Sequence, residues 1–373
     1  MISSMEDSYM FFDPTNEDFP LTMEGLAANK AFLKEQRELG NPSYKYKGNC
    51  TKAFAEKIAD AHIDREWEWV KSHQMPSTLE HEPKLSVYEN EVKGLVHEQK
   101  SWKTRSPLVK KFHLSALDAA KKGHLSPNAG WKAVQESKDE FRAFYLNRLR
   151  CSDWFNEFKK GKEPFDAHWK FLLDGYVPPF IYAIGLTTSG RYMNVGMFKP
   201  HAARYLASKY LDGFDEVFDP FSGFSGRLLG VVALGKKYIG RDLSARAIDE
   251  SYELMRFVSP MFEKNGIVPR FELGVADART STGEWQSLLT CSPYGDIESW
   301  DGVPKSSISC DEWISICLKN YACGKYVFVT DGSISTYKKF IVESFTNNCH
   351  WGTNDEFVVV IGKEDRDMIV EGI

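Results

Sequence analysis

Residues 217–242 read VFDPFSGFSGRLLGVVALGKKYIGRD and hold side chains whose types and spacing suit the binding of a nucleoside cofactor. Val217 and Phe218 end an apolar run, and Asp219 follows at the strand's carboxyl end. Pro220, Phe221 and Ser222 lead into Gly223 and Gly226, which permit close backbone approach and unusual dihedrals. Arg227–Leu234 then turns into an apolar helix. Asp242 follows a second strand, where a carboxylate can accept both hydroxyls of a ribose, with Leu243 beside it. The G-x-G-x-x-G spacing of a pyrophosphate turn is absent, and an acidic residue opening the turn would repel a pyrophosphate. A cofactor with a cationic amino-acid end, such as S-adenosylmethionine, suits Asp219 better.

A second constellation, LLTCSPYGDIESW (Leu288–Trp300), ends another apolar strand in Cys291, Ser292, Pro293 and Tyr294. Together the two segments resemble the class I S-adenosylmethionine-dependent DNA amino-methyltransferases, which act on adenine N6 or cytosine N4. The resemblance is strongest to phage-borne DNA methylases whose motifs read D-P-C-A-G-[FW]-G-G-R-L-L-G and L-T-[SC]-P-P-Y-[FY]-[DN]-L-E. FSGFSGRLLG matches in register through Gly226, Arg227, Leu228, Leu229 and Gly230, and the likeness spans roughly Thr187–Gly362. The order of motifs, cofactor turn before catalytic loop, resembles that of the gamma-type enzymes.

This resemblance implies S-adenosyl-L-methionine as cofactor and residues 291–294 as the holder of an exocyclic amine. In such enzymes the first side chain and the next carbonyl accept the amine hydrogens, while the aromatic ring stacks on the flipped base. The nitrogen lone pair then faces the methyl donor with little need of a general base. Two positions depart from the pattern: Cys291 stands for Asp, Asn or Ser, and Ser292 for the first proline. A thiol is a weak acceptor, although T-C-P-P-Y also occurs among the phage relatives. The resemblance further assigns Lys199 and Pro200, after Phe198, to one wall of the methionine pocket, and Asp277 with Ala278 to the neighbourhood of the adenine amino group. Each has a plainer reading: Lys199 as an exposed helix start, Asp277 as a turn aspartate.

Two other functions stay open. Cys291 could act as the nucleophile of a C5-pyrimidine methyltransferase, with Glu298 or Asp296 protonating the ring edge. The Pro-Cys-Gln context of such enzymes is missing, and Tyr294 fits the amine motif. Alternatively, the chain could bind nucleic acid or a partner on this fold and transfer nothing.

Strands at Glu216–Asp219, Lys237–Gly240, Arg270–Val275, Gln286–Cys291, Lys325–Asp331 and Glu356–Ile361, mostly separated by helices, predict an α/β fold. The sheet is expected to be doubly wound, largely parallel and Rossmann-like, preceded by a mainly helical region. A helix is predicted from Pro200, with Ala202, Ala203, Leu206 and Tyr210 buried, and others over Thr51–His73 and Trp131–Arg150. Pro178 and Pro179 mark a junction, giving an N-terminal region at 1–175 and a methyltransferase domain at 176–373.

With 373 residues, two domains are the default. The formal net charge is −5, yet residues 93–180 hold 17 basic against 10 acidic side chains, whereas the stretches on either side are net acidic. Aromatic residues interleave with Lys and Arg there, in KSWKTRSPLVKKFH (100–113), FRAFYLNRLR (141–150) and FKKGK (158–162). Such a stretch suits phosphate contact and base stacking on DNA, with RNA as an alternative polymer; a merely solvated basic face is the competing reading. Seven cysteines form no C-x-x-C pair, so no structural metal is expected and the thiols read as reduced. No apolar run reaches the length of a membrane span and the acidic start does not read as a signal peptide, so the expectation is a cytoplasmic protein, in the host if phage-encoded.

Overall fold

The computed structural model describes residues 52–75, 83–97, 106–121, 123–150, 186, 192, 196–293, 298–299, 307–346 and 355–372. The chain divides into two compact units, one from residues 1–80 and 128–192, the other from 81–127 and 193–373. Residues 81–127, on the N-terminal side of the expected division, therefore belong with the sheet. The Pro178–Pro179 junction lies outside the described residues.

In the first unit, helix Lys52–Ser72 is held by helices Pro127–Glu136 and Lys138–Arg150. Val70, Trp131, Val134, Phe141 and Tyr145 are buried. Trp67 Nε1 donates to the Val134 carbonyl (3.1 Å) and Gln135 Nε2 to that of Val70 (2.9 Å). The helical pattern over 131–150 is broken once, at Ser137, whose Oγ accepts the Glu140 amide as a first-turn cap (3.3 Å). Arg142 pairs with Asp60 (2.9 Å) and Lys138 with Asp64. Part of the charge asymmetry seen in the sequence is thus an internal match between an acidic and a basic helix.

The second unit opens with helices α1 (Leu85–Val96) and α2 (Pro107–Phe112) and a short strand β1 (Ala120–Lys121). After α3 (Pro200–Tyr210) the alternation begins: β2 (Glu216–Asp219), α4 (Gly226–Val232), β3 (Lys237–Asp242), α5 (Ala245–Lys264), β4 (Phe271–Val275), β5 (Gly283–Cys291), β6 (Glu298–Ser299), α6 (Cys310–Asn320), β7 (Tyr321–Thr330), β8 (Ile341–Thr346), β9 (Asp355–Gly362) and α7 (Lys363–Glu371). Seven strands form one sheet in the order β4-β3-β2-β5-β7-β9-β8. β9 runs antiparallel to both neighbours, whereas the pairs from β4 to β7 are parallel. All six strands expected from the apolar runs are present. The added edge strand β8 has its Val342 half exposed, which is why its sequence lacks a buried-strand signature.

Helix starts follow from local chemistry. Pro200 occupies the first turn of α3, Ser244 Oγ accepts the Ala247 amide, and Ser309 with Glu312 forms a reciprocal capping box on α6. Tyr88, Val92, Leu95, Leu108 and Val109 of α1 and α2 share one core with α3, α4, α5 and the face of the sheet they cover. Among the described residues, no helix is long and apolar enough to cross a membrane.

Candidate active site

The chain order reverses between β2 and β5, and in open parallel sheets ligands bind at the carboxyl ends of the strands beside such a switch. The two sequence motifs end on these strands: Phe218 is in register with Leu288, and Asp219 and Thr290 meet just beyond that pair. Thr290 Oγ1 donates to Asp219 Oδ1 at 2.6 Å. This bond fastens the loop after β5 to the glycine turn after β2.

Asp219 has no solvent exposure, and four donors converge on its carboxylate. Besides Thr290, Arg227 Nε lies 2.6 Å and the Tyr238 hydroxyl 2.7 Å from Oδ2, and the Phe221 amide is 3.1 Å from Oδ1. Arg227 also donates to the Phe221 carbonyl and stacks over the Phe198 ring at 5.1 Å. Burial opposes its charge most strongly, but the Asp219 carboxylate, Tyr238 and Cys291 together hold the guanidinium pKa above its usual value. Burial and the same carboxylate push the Tyr238 phenol well up. The sequence reading of Asp219 as a free carboxylate for a cationic ligand end is therefore corrected: Arg227, eight residues on in the same motif, neutralises it and the turn is built around the pair.

Asp242 answers its expectation differently. Its Oδ2 accepts the Gly223 amide and its Oδ1 the Ser244 amide, both at 2.9 Å. A carboxylate oxygen has two acceptor positions, so each retains one for a hydroxyl. Burial raises the Asp242 pKa, against the lowering effect of the two amides. Among the described residues, Gly223, with φ +53°, has only the Phe221 carbonyl, at 3.7 Å, near the direction of a Cβ, leaving open space above the turn. Ser222 Oγ is buried without a hydrogen-bond partner among the described residues. An open cradle, an unsatisfied hydroxyl and a diol-accepting carboxylate fit a nucleoside cofactor. Leu243, next to Asp242, is 40% exposed, as an adenine-facing apolar side chain would need to be.

The Phe198-Lys199-Pro200 segment crosses α4 at two glycines. A Cβ on Gly226 would lie 2.0 Å from the Phe198 carbonyl oxygen, and one on Gly230 2.4 Å from that of Pro200. Only glycine permits this approach, which sets the segment against the glycine turn after β2. Lys199 is buried, contrary to its plain reading as an exposed helix start. Asp277 follows β4 and is gripped by Arg279 (Nε to Oδ1 2.9 Å and to Oδ2 3.0 Å), which lowers its pKa; Ala278 is buried.

In the loop after β5, Cys291 and Ser292 are buried and Pro293 partly so. Ser292 Oγ lies 4.0 Å from Cys310 Sγ, which faces Asp331 Oδ1 at 3.7 Å. Burial, helped by Asp331, pushes the Cys310 thiol up to about 11. Tyr294 and Asp296 lie outside the described residues, as do Lys122 and the basic run 158–162. β6, further along the loop, pairs antiparallel with β1. Of the other basic residues, Lys110 lies in α2, and the Lys111 ammonium sits over the Tyr88, Phe112 and Phe257 rings at 5.3–5.7 Å. Among the described residues no cluster of His, Cys, Asp or Glu has the grouping of a metal site.

No protein-family model matches the chain, and no curated protein matches it. Solved structures that it resembles include a candidate RNA methyltransferase from Pyrococcus horikoshii, at 12% identity and a TM-score of 0.33, covering 44% of this chain and 83% of that one. TrmN from Thermus thermophilus is 18% identical over 44% of this chain and 48% of its own, with a TM-score of 0.32. The tRNA (uracil-54, C5)-methyltransferase of Pyrococcus abyssi, solved with S-adenosyl-L-homocysteine, is 15% identical over 43% and 37%, with a TM-score of 0.30. These likenesses are distant and concern the fold alone. The strand order carries the assignment. The sheet is a seven-stranded, mostly parallel α/β sheet of the Rossmann-like kind.

Proposed function

We propose that this protein is an S-adenosylmethionine-dependent methyltransferase acting on an exocyclic amine of DNA, adenine N6 or cytosine N4. The observation that carries the reading is the Thr290–Asp219 hydrogen bond, which joins the cofactor turn to a T-C-S-P-Y loop at the switch point of the sheet. Asp242 accepts the ribose hydroxyls, Gly223 and Ser222 line the open turn, and the Lys199–Pro200 segment forms the wall beside it. When bound, the cofactor supplies an electrophilic methyl group. The Cys291 and Ser292 carbonyls and the Ser292 hydroxyl accept the amine hydrogens, and Tyr294 stacks on the flipped base. Since attack by a neutral amine lone pair needs no prior deprotonation, the lack of a basic side chain in the motif is consistent with this chemistry.

The test is incubation with labelled S-adenosylmethionine and mixed-sequence DNA or RNA, digestion to nucleosides and mass spectrometry. N6-methyladenine or N4-methylcytosine from DNA is expected, with severe loss on Tyr294→Ala and substantial activity kept by Cys291→Ser. A 5-methylpyrimidine, lost on Cys291→Ser, would replace the reading with C5 chemistry. Product on RNA alone would replace the polymer.

A further inference from the structure

Ser225 is the single non-glycine residue with positive φ among those described, at φ 61° and ψ 4°, and it sits between the two glycines of the turn. It is buried, and two neighbours hold its hydroxyl: His113 Nε2 at 2.8 Å and Ser251 Oγ at 2.7 Å. The direction of the chain follows from donor supply. Ser251 gives its hydrogen to the Ala247 carbonyl (2.7 Å), so it accepts from Ser225, and the imidazole tautomer that carries its hydrogen on Nε2 donates to Ser225 in turn.

Behind the imidazole, Nδ1 lies 3.3 Å from Glu250 Oε2. Glu250 is fixed by the Ser115 amide (2.9 Å) and hydroxyl and by Arg246 Nε (3.2 Å), while Arg246 also pairs with Asp118. His113 stands at the end of α2, and its ring packs on that of Phe224 at 5.5 Å. Acid, imidazole and hydroxyl stand in the order used by serine hydrolases. Here the hydroxyl is 1% exposed and spends its hydrogen on Ser251, so it is not presented to a substrate.

We propose that His113 is a positioning residue for the cofactor turn: it clamps Ser225 in the left-handed conformation that aims the Gly223 amide at Asp242 and seats Gly226 on the Phe198 carbonyl. The inference rests on the reading of this turn as the S-adenosyl nucleoside site. It assigns a role in that site to a segment far N-terminal of both motifs. A left-handed serine is disfavoured, and the penalty expressed as an equilibrium constant is roughly tenfold. The clamp offsets it. Glycine at 225 would need no clamp, because it carries no such penalty.

The experiment compares wild type, His113→Phe, His113→Gln, Ser225→Ala, Ser225→Gly and the double variant Ser225→Gly with His113→Phe. Affinity for S-adenosylhomocysteine is measured by calorimetry, and hydrogen exchange of residues 220–230 is measured on the ligand-free protein with strand 321–330 as internal reference. His113→Phe and Ser225→Ala should each weaken binding and speed turn exchange about tenfold, leaving the reference strand unchanged. His113→Gln, whose amide can donate to Ser225, should recover most of both, and His113→Phe should cost little further on the Ser225→Gly background. The proposal is overturned if His113→Phe and Ser225→Ala leave the turn at wild-type exchange, if the loss is as large on the glycine background, or if exchange rises equally in the reference strand. A wild-type protein with no affinity would sink the cofactor reading, while the exchange data would still decide the clamp.

Discussion

Replacing Asp219 separates a structural carboxylate from a ligand contact. Asp219→Ala leaves the Arg227 guanidinium buried without a counter-charge, since the two side chains are 0% and 6% exposed, and it strips the acceptor from Tyr238 and Thr290. Breaking a buried pair by removing one member costs about 3–5 kcal/mol, because the remaining charge is left desolvated. Asp219→Ala should therefore lower the urea midpoint by a large fraction of the total stability, with the slope of the transition unchanged. Replacing both partners by apolar side chains of similar volume, Asp219→Leu with Arg227→Met, should recover much of the loss, since no lone charge remains. Thr290→Val removes one donor and keeps the pair, and should cost about 1–2 kcal/mol. A structural role for Asp219 would be refuted if Asp219→Asn stayed within about 1 kcal/mol of wild type, on the scale of ordinary substitutions, yet lost all affinity for S-adenosylhomocysteine. That pattern would make Asp219 a contact to the ligand itself.

Other outcomes are equally specific. Gly226→Ala places a methyl group on the Phe198 carbonyl, backbone that cannot rotate away, so it should destabilise the second unit by about 1–3 kcal/mol and weaken cofactor binding, whereas Gly213→Ala, with open space around it, should do neither. Burial raises the Glu91 pKa to about 7, against the hydrogen bonds from Ser106 and the Leu108 amide. The folded state thus keeps a proton that the unfolded chain loses near 4.5, so stability should fall as pH rises from 4.5 to 7, by up to about 3 kcal/mol, and level off above. Denaturation of Glu91→Gln across this range should show the slope removed.

Much of the sheet was legible because β2, β5, β7 and β9 are short apolar runs buried on both faces, a signal strong enough to survive without homologues. Edge strand β8 was not, since IVESFT alternates and exposes one side. The break at Ser137 carried a visible signal, S-x-x-E, which the longer helical period obscured. Asp219 was located correctly and its state was not: Arg227 served only to align a motif, although a buried carboxylate requires a counter-charge close at hand. His113 had no sequence signal. It is one histidine in a basic run, brought to Ser225 across 112 positions by the packing of α1 and α2 on the sheet. The charge asymmetry between helices Lys52–Ser72 and Lys138–Arg150 likewise acquired its internal meaning only when the two were seen paired.

Asp242 is the residue at which cofactor binding is tested most directly. Calorimetric titration with S-adenosylhomocysteine should show binding by the wild-type protein and a loss of about 1–3 kcal/mol in Asp242→Ala, the usual value of hydrogen bonds to a charged group. Because burial raises the Asp242 pKa, wild-type affinity should also decline as pH falls through that raised value, a decline absent from Asp242→Ala. No binding by the folded wild-type protein, or equal binding by Asp242→Ala, would contradict the assignment of this turn to the cofactor.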